Sequence, residues 1–368
     1  MGGQKALLAL GLMSGTSLDG IDAALVLTDG LALVEPGAAL TVPYAPALRE
    51  RLRATIGGRG DVAAVERDVT RAHAAAVSSL LEREGLAADA VDAIGFHGHT
   101  IVHRPAESLT WQIGDGALLA ELTGIDVVCD FRSRDVAAGG EGAPLAPLYH
   151  AARAAPLGRP VAVLNLGGVA NVTWLGEDGA IRAFDTGPGC ALLDDWARRH
   201  GVGDIDAEGA LARSGRADDG RVKSLLQHAY FRRPPPKSLD RDEFAGAADG
   251  LSAGDGAATL AAFTAGAVGH ALTHLPAPPT RWLVTGGGRH NPALMDHLRR
   301  LLGVPVEAVE AVGWNGDALE AEAFAYLAVR ALRRYALTLP ETTGAPRPLP
   351  GGALHRHATI GDAGARGP

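Results

Sequence analysis

The hydrophobic positions of this chain alternate between short apolar runs and helical repeats. Residues 6–12 form an apolar run that predicts a buried strand, and a Gly/Ser-rich turn follows it. Residues 22–35 predict a hairpin, because Asp29-Gly30 separates two apolar segments. A long helix is expected next, since apolar residues then recur at steps of three and four: Val62, Val65, Val69, Ala72, Ala76 and Leu80.

The remaining apolar segments continue this pattern through the chain. In the first half they predict strands at residues 91–96 and 125–129, separated by a helix at 115–122 that opens on an N-cap aspartate. The second half predicts three strands, two helical stretches, a strand, a helix and a short extended piece, in that order: residues 160–166, 169–175, 181–184, about 190–230, 257–275, 282–285, 291–302 and 304–306.

Each half therefore has the order β-β-β-α-β-α-β without a sequence repeat of short period, which indicates a duplicated α/β unit. Glycine-rich turns follow strands in both halves, where open α/β sheets bind ligands, so two facing units predict a cleft. A last helix is expected at residues 317–335. The tail after Leu339 is rich in Pro, Gly and Thr and is expected to form loop.

Composition narrows the class of protein. The chain has 368 residues, which favours two domains, and its net charge of −8 argues against a nucleic-acid partner. Its two cysteines, Cys129 and Cys190, form no Cys-x-x-Cys pair and suit a reducing compartment. No apolar stretch approaches the ~20 residues that span a bilayer, and the N-terminus does not resemble a signal peptide. We therefore expect a cytoplasmic protein without a membrane partner.

The polar turn after the first strand supplies candidate nucleotide-binding residues: Gly15, Thr16, Ser17, Leu18, Asp19, Gly20, Ile21 and Asp22. Glycines let the backbone approach an anion, and hydroxyl and N–H groups can bond phosphate oxygens. Asp19 and Asp22 can hold Mg²⁺ directly or through water. An ordinary polar hairpin turn explains the same composition, so both interpretations stay open.

A second glycine turn occupies the matching place in the other half. It covers residues 165–171 and adds Gly167, Gly168 and Asn171 as candidate phosphate contacts. Two such turns at matching positions favour the phosphate-binding interpretation over an ordinary turn.

A third glycine turn, Gly286-Gly287-Gly288, joins a buried strand to a helix whose start is marked by Asn291-Pro292. It suits the base and ribose of a nucleotide, or a phosphate at the helix N-terminus. It has neither the Walker A pattern nor the Rossmann spacing of glycines.

Two charged segments are candidates for the chemistry. Asp185 ends a strand before Gly-Pro-Gly, where its carboxylate can act as a general base toward water or a sugar hydroxyl; a turn-forming aspartate is the alternative. Arg132 and Arg134 can bind a substrate carboxylate in a bidentate pair. A solvated charge run with internal Asp–Arg pairs explains them equally.

Histidines and a helix start complete the candidates. His97, His99 and His103 share parity, so a single strand would place them on one face as a zinc site, although Gly98 favours a turn there. Glu320 can accept a hydrogen bond from a substrate. Its spacing from Asp317 instead favours a capping-box-like pattern at the start of the last helix.

Taken together, the motifs resemble the anhydro-N-acetylmuramic acid kinase family in six ordered blocks: residues 11–22, 97–105, 111–115, 130–145, 184–189 and 315–327. The run Pro-Pro-Pro-Lys-Ser at 234–238 is also similar. The resemblance implies an α/β, two-lobed actin-like (ribonuclease H-like) ATPase fold with a central cleft. It places the phosphate hairpin and part of the sugar site in an N-terminal lobe, 1–132. The second phosphate turn, the catalytic aspartate and the nucleotide-binding glycine turn fall in a C-terminal lobe, 133–368.

The resemblance also implies a reaction and its participants. ATP with Mg²⁺ phosphorylates O6 of 1,6-anhydro-N-acetylmuramic acid while water opens the anhydro bridge, giving N-acetylmuramic acid 6-phosphate in cell-wall recycling. Asp185 matches the family's base, and residues 15–22 match its ATP segment. The expected sugar contacts are His97, Gln112, Arg132 and Glu320. The partners are then ATP and a small amino sugar, and a homodimer is one expected state.

Two positions depart from the family pattern. Cys190 stands where Asn is expected, and His99 stands where Gln is expected, which adds a group that titrates near pH 6.5. These departures leave two alternatives open. One is a kinase of the same fold for another sugar or a small acid, and the other is a nucleotide-binding sensor ATPase.

Overall fold

The computed structural model describes residues 4–15 and 18–357. Its strands in chain order are β1 (Leu7–Ser14), β2 (Gly20–Thr28), β3 (Val34–Pro43), β4 (Ala93–Arg104), β5 (Leu109–Ile113), β6 (Val127–Cys129), β7 (Val161–Leu166), β8 (Val169–Leu175), β9 (Ile181–Pro188), β10 (Arg281–Thr285), β11 (Val306–Ala308) and β12 (Ala353–His355). Its α-helices are α1 (Pro46–Thr55), α2 (Val62–Glu84), α3 (Gly116–Thr123), α4 (Ser133–Ala137), α5 (Pro147–Arg153), α6 (Ala191–Arg199), α7 (Ala210–Ser214), α8 (Asp219–Leu225), α9 (Ala229–Arg232), α10 (Ala253–Ala271), α11 (Pro292–Leu302), α12 (Leu319–Leu332) and α13 (Pro340–Thr343).

The chain forms two compact units. The first takes in the chain up to Ala155, then Ala318–Leu339 and the chain from Ala345; the second takes in Pro156–Asp317 and Pro340–Gly344. The expected boundary after residue 132 falls inside the first unit. The last long helix also belongs to the first unit, because α12 packs directly on β1, β2 and β4.

The two units share one sheet topology. In the first, the strand order is β12-β6-β4-β1-β2-β3, with β5 paired to β4; in the second, it is β11-β10-β7-β8-β9. In each case three antiparallel strands come first, a later strand (β4 or β10) pairs in parallel with the first of them, and a further strand (β6 or β11) pairs in parallel with that one. The repeated order confirms the predicted duplication of an α/β unit and the actin-like fold class.

Most predicted elements are present, but several differ, and helices α1 and α5 were not predicted. Strand β5 pairs with β4 as an extra hairpin strand that the apolar pattern did not predict. The helical stretch near 190–230 consists of several short helices, α6 to α9. The tail is not loop throughout, since Thr338 bridges Leu349 and β12 pairs antiparallel with β6. The pairing of β12 with β6 joins positions far apart in the sequence, which local composition does not report.

Two glycines let α12 lie against the first sheet. Gly11 on β1 and Gly95 on β4 are register partners in the parallel pair. A Cβ at Gly11 would lie 1.7 Å from the carbonyl oxygen of Ala321, and one at Gly95 would lie 2.0 Å from that of Phe324. Only glycine allows so close an approach. Helix α12, which carries Glu320, therefore packs directly against the backbone of β1 and β4.

Apolar side chains cover a face of each sheet. In the first unit Leu10, Leu12 and Phe96 pack with Val69 and Val77 of α2. In the second unit the core around the sheet includes Leu164, Phe184, Val268, Trp282 and Leu298. Within residues 4–15 and 18–357, no helix is long and apolar enough to cross a membrane.

Candidate active site

The first candidate phosphate turn joins β1 to β2 in the first unit. Thr16 and Ser17 lie outside the described residues. Leu18 has a φ of 60°, a side chain only 3% exposed, and an N–H that donates to the carbonyl of Gly15 at 3.1 Å. A buried leucine in the left-handed region is a strained conformation, which is more typical of a ligand-binding turn than of an ordinary hairpin.

The acidic residues of this turn are partly committed to its own structure. Asp19 is exposed, and its Oδ1 accepts from the N–H of Gly20 at 2.9 Å. Ile21 is buried, and Asp22 accepts from the Thr41 hydroxyl at 2.6 Å. The carboxylates are therefore oriented by backbone and by strand β3.

These carboxylates suit a hydrated divalent ion. No group of three or more His, Cys, Asp or Glu side chains able to hold a metal occurs in the part of the chain that the structure describes. Mg²⁺ commonly uses only one or two carboxylates and keeps waters and phosphate oxygens as its other ligands. Exposed Asp19, with Asp22 three residues further on, fits that mode of binding.

A buried hydrogen-bond chain supports the start of this turn. The Tyr44 hydroxyl donates to Ser14 Oγ at 2.8 Å, and Ser14 Oγ is 2.9 Å from Nδ1 of His99. Burial lowers the pKa of His99 to about 4. The expectation that His99 titrates near pH 6.5 is therefore wrong, because the imidazole is fully buried and stays neutral at neutral pH.

Three predicted sugar contacts, His97, Gln112 and Arg132, lie near one another in the first unit. His97 and Gln112 line a cavity of about 200 Å³ formed by β4, β5 and the segment after β6. Trp111, which is 41% exposed, and Ser133 also line it and were not among the predicted contacts. Trp111 sits next to Gln112 in a matching block, so its exposure was the missing information.

The geometry around His97 sets its protonation state. Its Nδ1 donates to the carbonyl of Gly98 at 2.9 Å, and its Nε2 accepts from Nε of Arg132 at 3.1 Å. Burial, and then the neighbouring Arg132 charge, hold the pKa of His97 well below its usual range. Arg132 also donates to the carbonyl of Gly142 at 2.6 Å. A neutral histidine thus orients a guanidinium beside the cavity.

The three histidines of β4 have separate partners. His97 bonds Arg132, His99 bonds Ser14, and His103 Nδ1 lies 3.0 Å from the Thr110 hydroxyl. Gly98, at φ 74°, breaks the strict alternation of the strand. The shared zinc face that parity suggested is not formed.

The capping-box interpretation of the last helix is wrong. Helix α12 begins at Leu319, with Ala318 as N-cap and no side-chain cap. The Asp317 carboxylate instead pairs with Arg289 at 2.8 Å. Glu320 lies exposed in the first turn of α12.

In the second unit, paired strands bring four polar residues into one row. Thr285 pairs with Asn165, Asn165 with Asn171, and Asn171 with Asp185, across β10, β7, β8 and β9. Residues directly opposite in a sheet point to the same face. Asp185 thus shares a face with Asn171 and with Asn165, which sequence reasoning had placed in the turn without a role.

The glycine turns of this unit border the same row. Gly167 and Gly168 connect β7 to β8, and their carbonyls accept from the N–H groups of Cys190 and Gly189 at 2.7 and 3.0 Å. At Gly286, φ is 76° and a Cβ would lie 2.3 Å from Oδ1 of Asn165. The Gly286–Gly288 turn therefore lies against the Gly167 turn.

Cys190 is one of the two departures from the family pattern. Its thiol donates weakly to the Leu166 carbonyl at 3.7 Å, and it begins α6 without a side-chain cap. Burial raises the pKa of the thiol, so it stays protonated. An asparagine there would supply a better helix cap.

Asp185 is only 8% exposed, and hydrogen bonds to neighbouring residues hold it in place. Its N–H donates to the Lys237 carbonyl at 3.0 Å, and its Oδ2 accepts from the Leu239 N–H at 2.9 Å. The Tyr230 hydroxyl donates to its main-chain carbonyl at 2.5 Å. A buried carboxylate oriented by the Leu239 N–H, on a main chain held by Lys237 and Tyr230, meets the first requirement for a general base, which is fixed geometry.

Comparisons with known proteins show which family this chain is similar to. A family model described as anhydro-N-acetylmuramic acid kinase matches residues 7–357. The anhydro-N-acetylmuramic acid kinase of Paramagnetospirillum magneticum is 59% identical over 95% of this chain and 99% of its own length. That of Rhodospirillum rubrum is 58% identical over 96% of each chain. Among solved structures, component A of the (R)-2-hydroxyglutaryl-CoA dehydratase of Acidaminococcus fermentans has a TM-score of 0.48 at 15% identity, covering 88% of this chain and 99% of that one.

Proposed function

Because the chain belongs to the anhydro-N-acetylmuramic acid kinase family, we propose that it uses ATP to phosphorylate 1,6-anhydro-N-acetylmuramic acid while water opens the anhydro bridge. The product is N-acetylmuramic acid 6-phosphate, and the reaction serves peptidoglycan recycling and amino-sugar catabolism in the cytoplasm. The observation that carries the ring-opening step is Asp185, a buried carboxylate that accepts from the Leu239 N–H in a polar row.

Asp185 is the base of the proposed reaction. It takes a proton from a water molecule, whose oxygen bonds to C1 of the sugar as the C1–O6 bond breaks. The released O6 bonds to the γ-phosphorus of ATP, and the bond to the β-phosphate oxygen breaks to release ADP. The Leu239 N–H, 2.9 Å from Oδ2, keeps the carboxylate oriented for this proton transfer.

The glycine turns are the proposed nucleotide-binding segments. Residues 15–22 of the first unit match the family's ATP segment, and Gly167, Gly168 and Asn171 lie in the corresponding turn of the second unit. Gly286–Gly288 suit the base and ribose. Asp19 and Asp22 would hold Mg²⁺ directly or through water. When bound, Mg²⁺ spreads the negative charge of the phosphate oxygens.

The first unit supplies the proposed sugar contacts. Arg132 is fixed by His97 and by the Gly142 carbonyl beside a cavity of about 200 Å³. A guanidinium in this setting suits the carboxylate of a muramic acid. Gln112, whose amide donates to Thr100 and Thr110, and exposed Glu320 offer further hydrogen bonds to the sugar.

An ATPase assay against paired sugars tests the proposal. ADP release is measured with 1,6-anhydro-N-acetylmuramic acid, with ring-opened N-acetylmuramic acid, with glucose and without sugar. We expect ADP release that depends on the anhydro sugar. Equal turnover with the ring-opened or another sugar would contradict the substrate assignment. Turnover indifferent to every sugar would instead indicate a sensor ATPase.

A further inference from the structure

Lys237 lies in the Pro-Pro-Pro-Lys-Ser segment, whose role the proposed reaction does not explain. Its side chain is buried, at 2% exposure, in the second unit. The segment runs beside the strand of the proposed base, because the Asp185 N–H donates to the Lys237 carbonyl and the Leu239 N–H donates to the Asp185 carboxylate. Lys237 is therefore built into the backbone contacts that hold Asp185.

The ammonium group of Lys237 contacts two aromatic residues that adjoin Asp185. Its Nζ donates to the Tyr230 carbonyl at 3.1 Å and lies 4.6 Å from the centre of the Tyr230 ring. The Tyr230 hydroxyl in turn donates to the Asp185 carbonyl. Nζ also lies 5.8 Å from the centre of the ring of Phe184, the neighbour of Asp185. A cation over aromatic faces keeps some stabilisation where water is excluded.

The charged groups acting on this ammonium come from two elements. Asp185 on β9 favours its charged form, and Arg233 on its own segment disfavours it. Burial is the largest effect and lowers the pKa of Lys237 to about 8. Of the elements packed against β9, α10 carries Asp255 and His270, α13 carries Glu341, and β8 carries no titratable side chain. Asp185 is thus the opposite charge that acts on Lys237.

The composition makes a lysine at this place informative. Of the 34 Lys and Arg residues, only Lys5, Lys223 and Lys237 are lysine. Elsewhere the chain uses arginine for nearly every positive charge. Arginine cannot give up its proton in proteins and needs room for a planar fork, whereas an ammonium is a compact point charge. A compact charge is what a closed site between two aromatic rings accommodates.

We propose that Lys237 is a positioning residue for Asp185: its buried positive charge and its bond to Tyr230 keep the carboxylate ionised and oriented for proton abstraction. The inference rests on the proposed function in assigning the base to Asp185. Its physical core, a coupling between the charges of Lys237 and Asp185, does not depend on the substrate. An opposite charge nearby favours the ionised carboxylate, and the carboxylate favours the protonated amine by the same free energy.

The coupling is measured by NMR on protein labelled with ¹³C-lysine. Three lysines give three side-chain signals, and Lys237→Arg assigns one by removing it. We expect the Lys237 signal to titrate with a midpoint near 8 in the natural chain. Asp185→Asn should lower that midpoint by roughly one pH unit. The control Asp240→Asn, exposed and three residues along, should leave it in place. An unchanged midpoint in Asp185→Asn would overturn the proposal.

Kinetics separate positioning from a merely structural role. In Lys237→Met the acid limb of the kcat/KM profile should move up by ~1 pH unit, costing ~10-fold on that limb and less at higher pH, with KM for ATP unchanged. The matched change at an exposed lysine, Lys223→Met, should leave the limb in place. An equal loss at every pH would mean that Lys237 only supports the fold, and would overturn the proposal.

The NMR and kinetic experiments together distinguish a failure of the proposed function from a failure of the proposed role of Lys237. If the natural chain does not turn over the anhydro sugar, the proposed function fails, and the NMR arm still decides the coupling. If Lys237→Met does not fold, the isosteric Asp185→Asn variant decides it, because it leaves Lys237 in place.

Discussion

Asp185 is the residue on which the proposed chemistry depends most. Asp185→Asn keeps the size of the side chain and an oxygen for the Leu239 N–H, but it removes the proton acceptor. We expect turnover to fall by ~10²–10⁴-fold while the Kd for ATP stays within ~2-fold. Steady-state ADP release and nucleotide titration measure the two quantities. Asp240→Asn is the matched control, and full activity in Asp185→Asn would refute the assignment.

Arg132 is expected to act on the sugar alone. Arg132→Met keeps much of the apolar stem and removes the guanidinium that His97 and Gly142 hold. A charge-assisted hydrogen bond contributes ~1.5–3 kcal/mol, so KM for the sugar should rise ~10- to 100-fold with KM for ATP unchanged. Arg134→Met, two residues away and exposed, is the control. An unaltered KM for the sugar would show that Arg132 does not bind the sugar and only stabilises the loop at Gly142.

At this scale the sequence predicted residue types better than their partners. The sequence placed Asp185 at a strand end, but β9 continues to Pro188, and the bonds of Asp185 to Leu239 and Tyr230 join positions 54 and 45 residues apart. Asp317 could not be assigned from spacing, because Arg289 competes for its carboxylate. The protonation state of His99 depends on its burial, which a strand with a glycine in it does not reveal.

At the scale of single elements, mutation can test how α12 packs on the first sheet. In Gly11→Ala the new methyl group would lie 1.7 Å from the Ala321 carbonyl, so the helix or strand must shift. Overpacking of this kind costs ~1–3 kcal/mol or more, and the free energy of unfolding in urea should fall accordingly. Gly158→Ala, with nothing within 4 Å of the new methyl group, is the control. Equal stability in Gly11→Ala and Gly158→Ala would contradict the close packing of α12 on the backbone of β1.

Elements with strong periodicity were predictable, and those fixed by distant pairing were not. Helix α2 follows the apolar repeat, with Val65, Val69 and Leu80 buried, and β7 follows its continuous apolar run. Strand β12 has three residues with no clear alternation, and it exists because it pairs with β6 more than 200 positions away in sequence. Strand β5 likewise depends on β4.

On the scale of the molecule, buried histidines make stability depend on pH. His73, His97, His99 and His150, all in the first unit, are at most 4% exposed. Burial lowers the pKa of His73 and His99 to about 4 and of His150 to about 3, and His97 is also lowered. The unfolded chain binds these protons first, so their contribution is complete above about pH 6.5 and is lost as the pH falls toward 4.

The free energy of unfolding should therefore decrease from pH 7.5 to pH 5, by up to ~1.4 kcal/mol per pH unit for each histidine. Urea unfolding at several pH values measures the slope. His73→Met should make the slope shallower, while His290→Met, at an exposed position, should not change it. A flat profile between pH 7 and 5 would show that these histidines are not neutral in the folded chain.

The duplication of the α/β unit was visible in the sequence, whereas the limits of the units were not. The order of strands and helices repeats along the chain, but α12 leaves the second half of the sequence to pack on the first sheet. The boundary expected after residue 132 followed chain order. Contacts made by α5 and α12 extend the first unit beyond it.

The central claim is that phosphate transfer and ring opening are one reaction, and an isotope measurement tests it directly. The enzyme is supplied with ATP and 1,6-anhydro-N-acetylmuramic acid in H₂¹⁸O, and the phosphorylated product is fragmented in a mass spectrometer immediately after quenching. The account predicts one ¹⁸O atom at C1, in excess of that acquired by unlabelled N-acetylmuramic acid 6-phosphate incubated in the same water, and none in the bond between O6 and phosphorus. A phosphorylated sugar without solvent oxygen at C1 would contradict it.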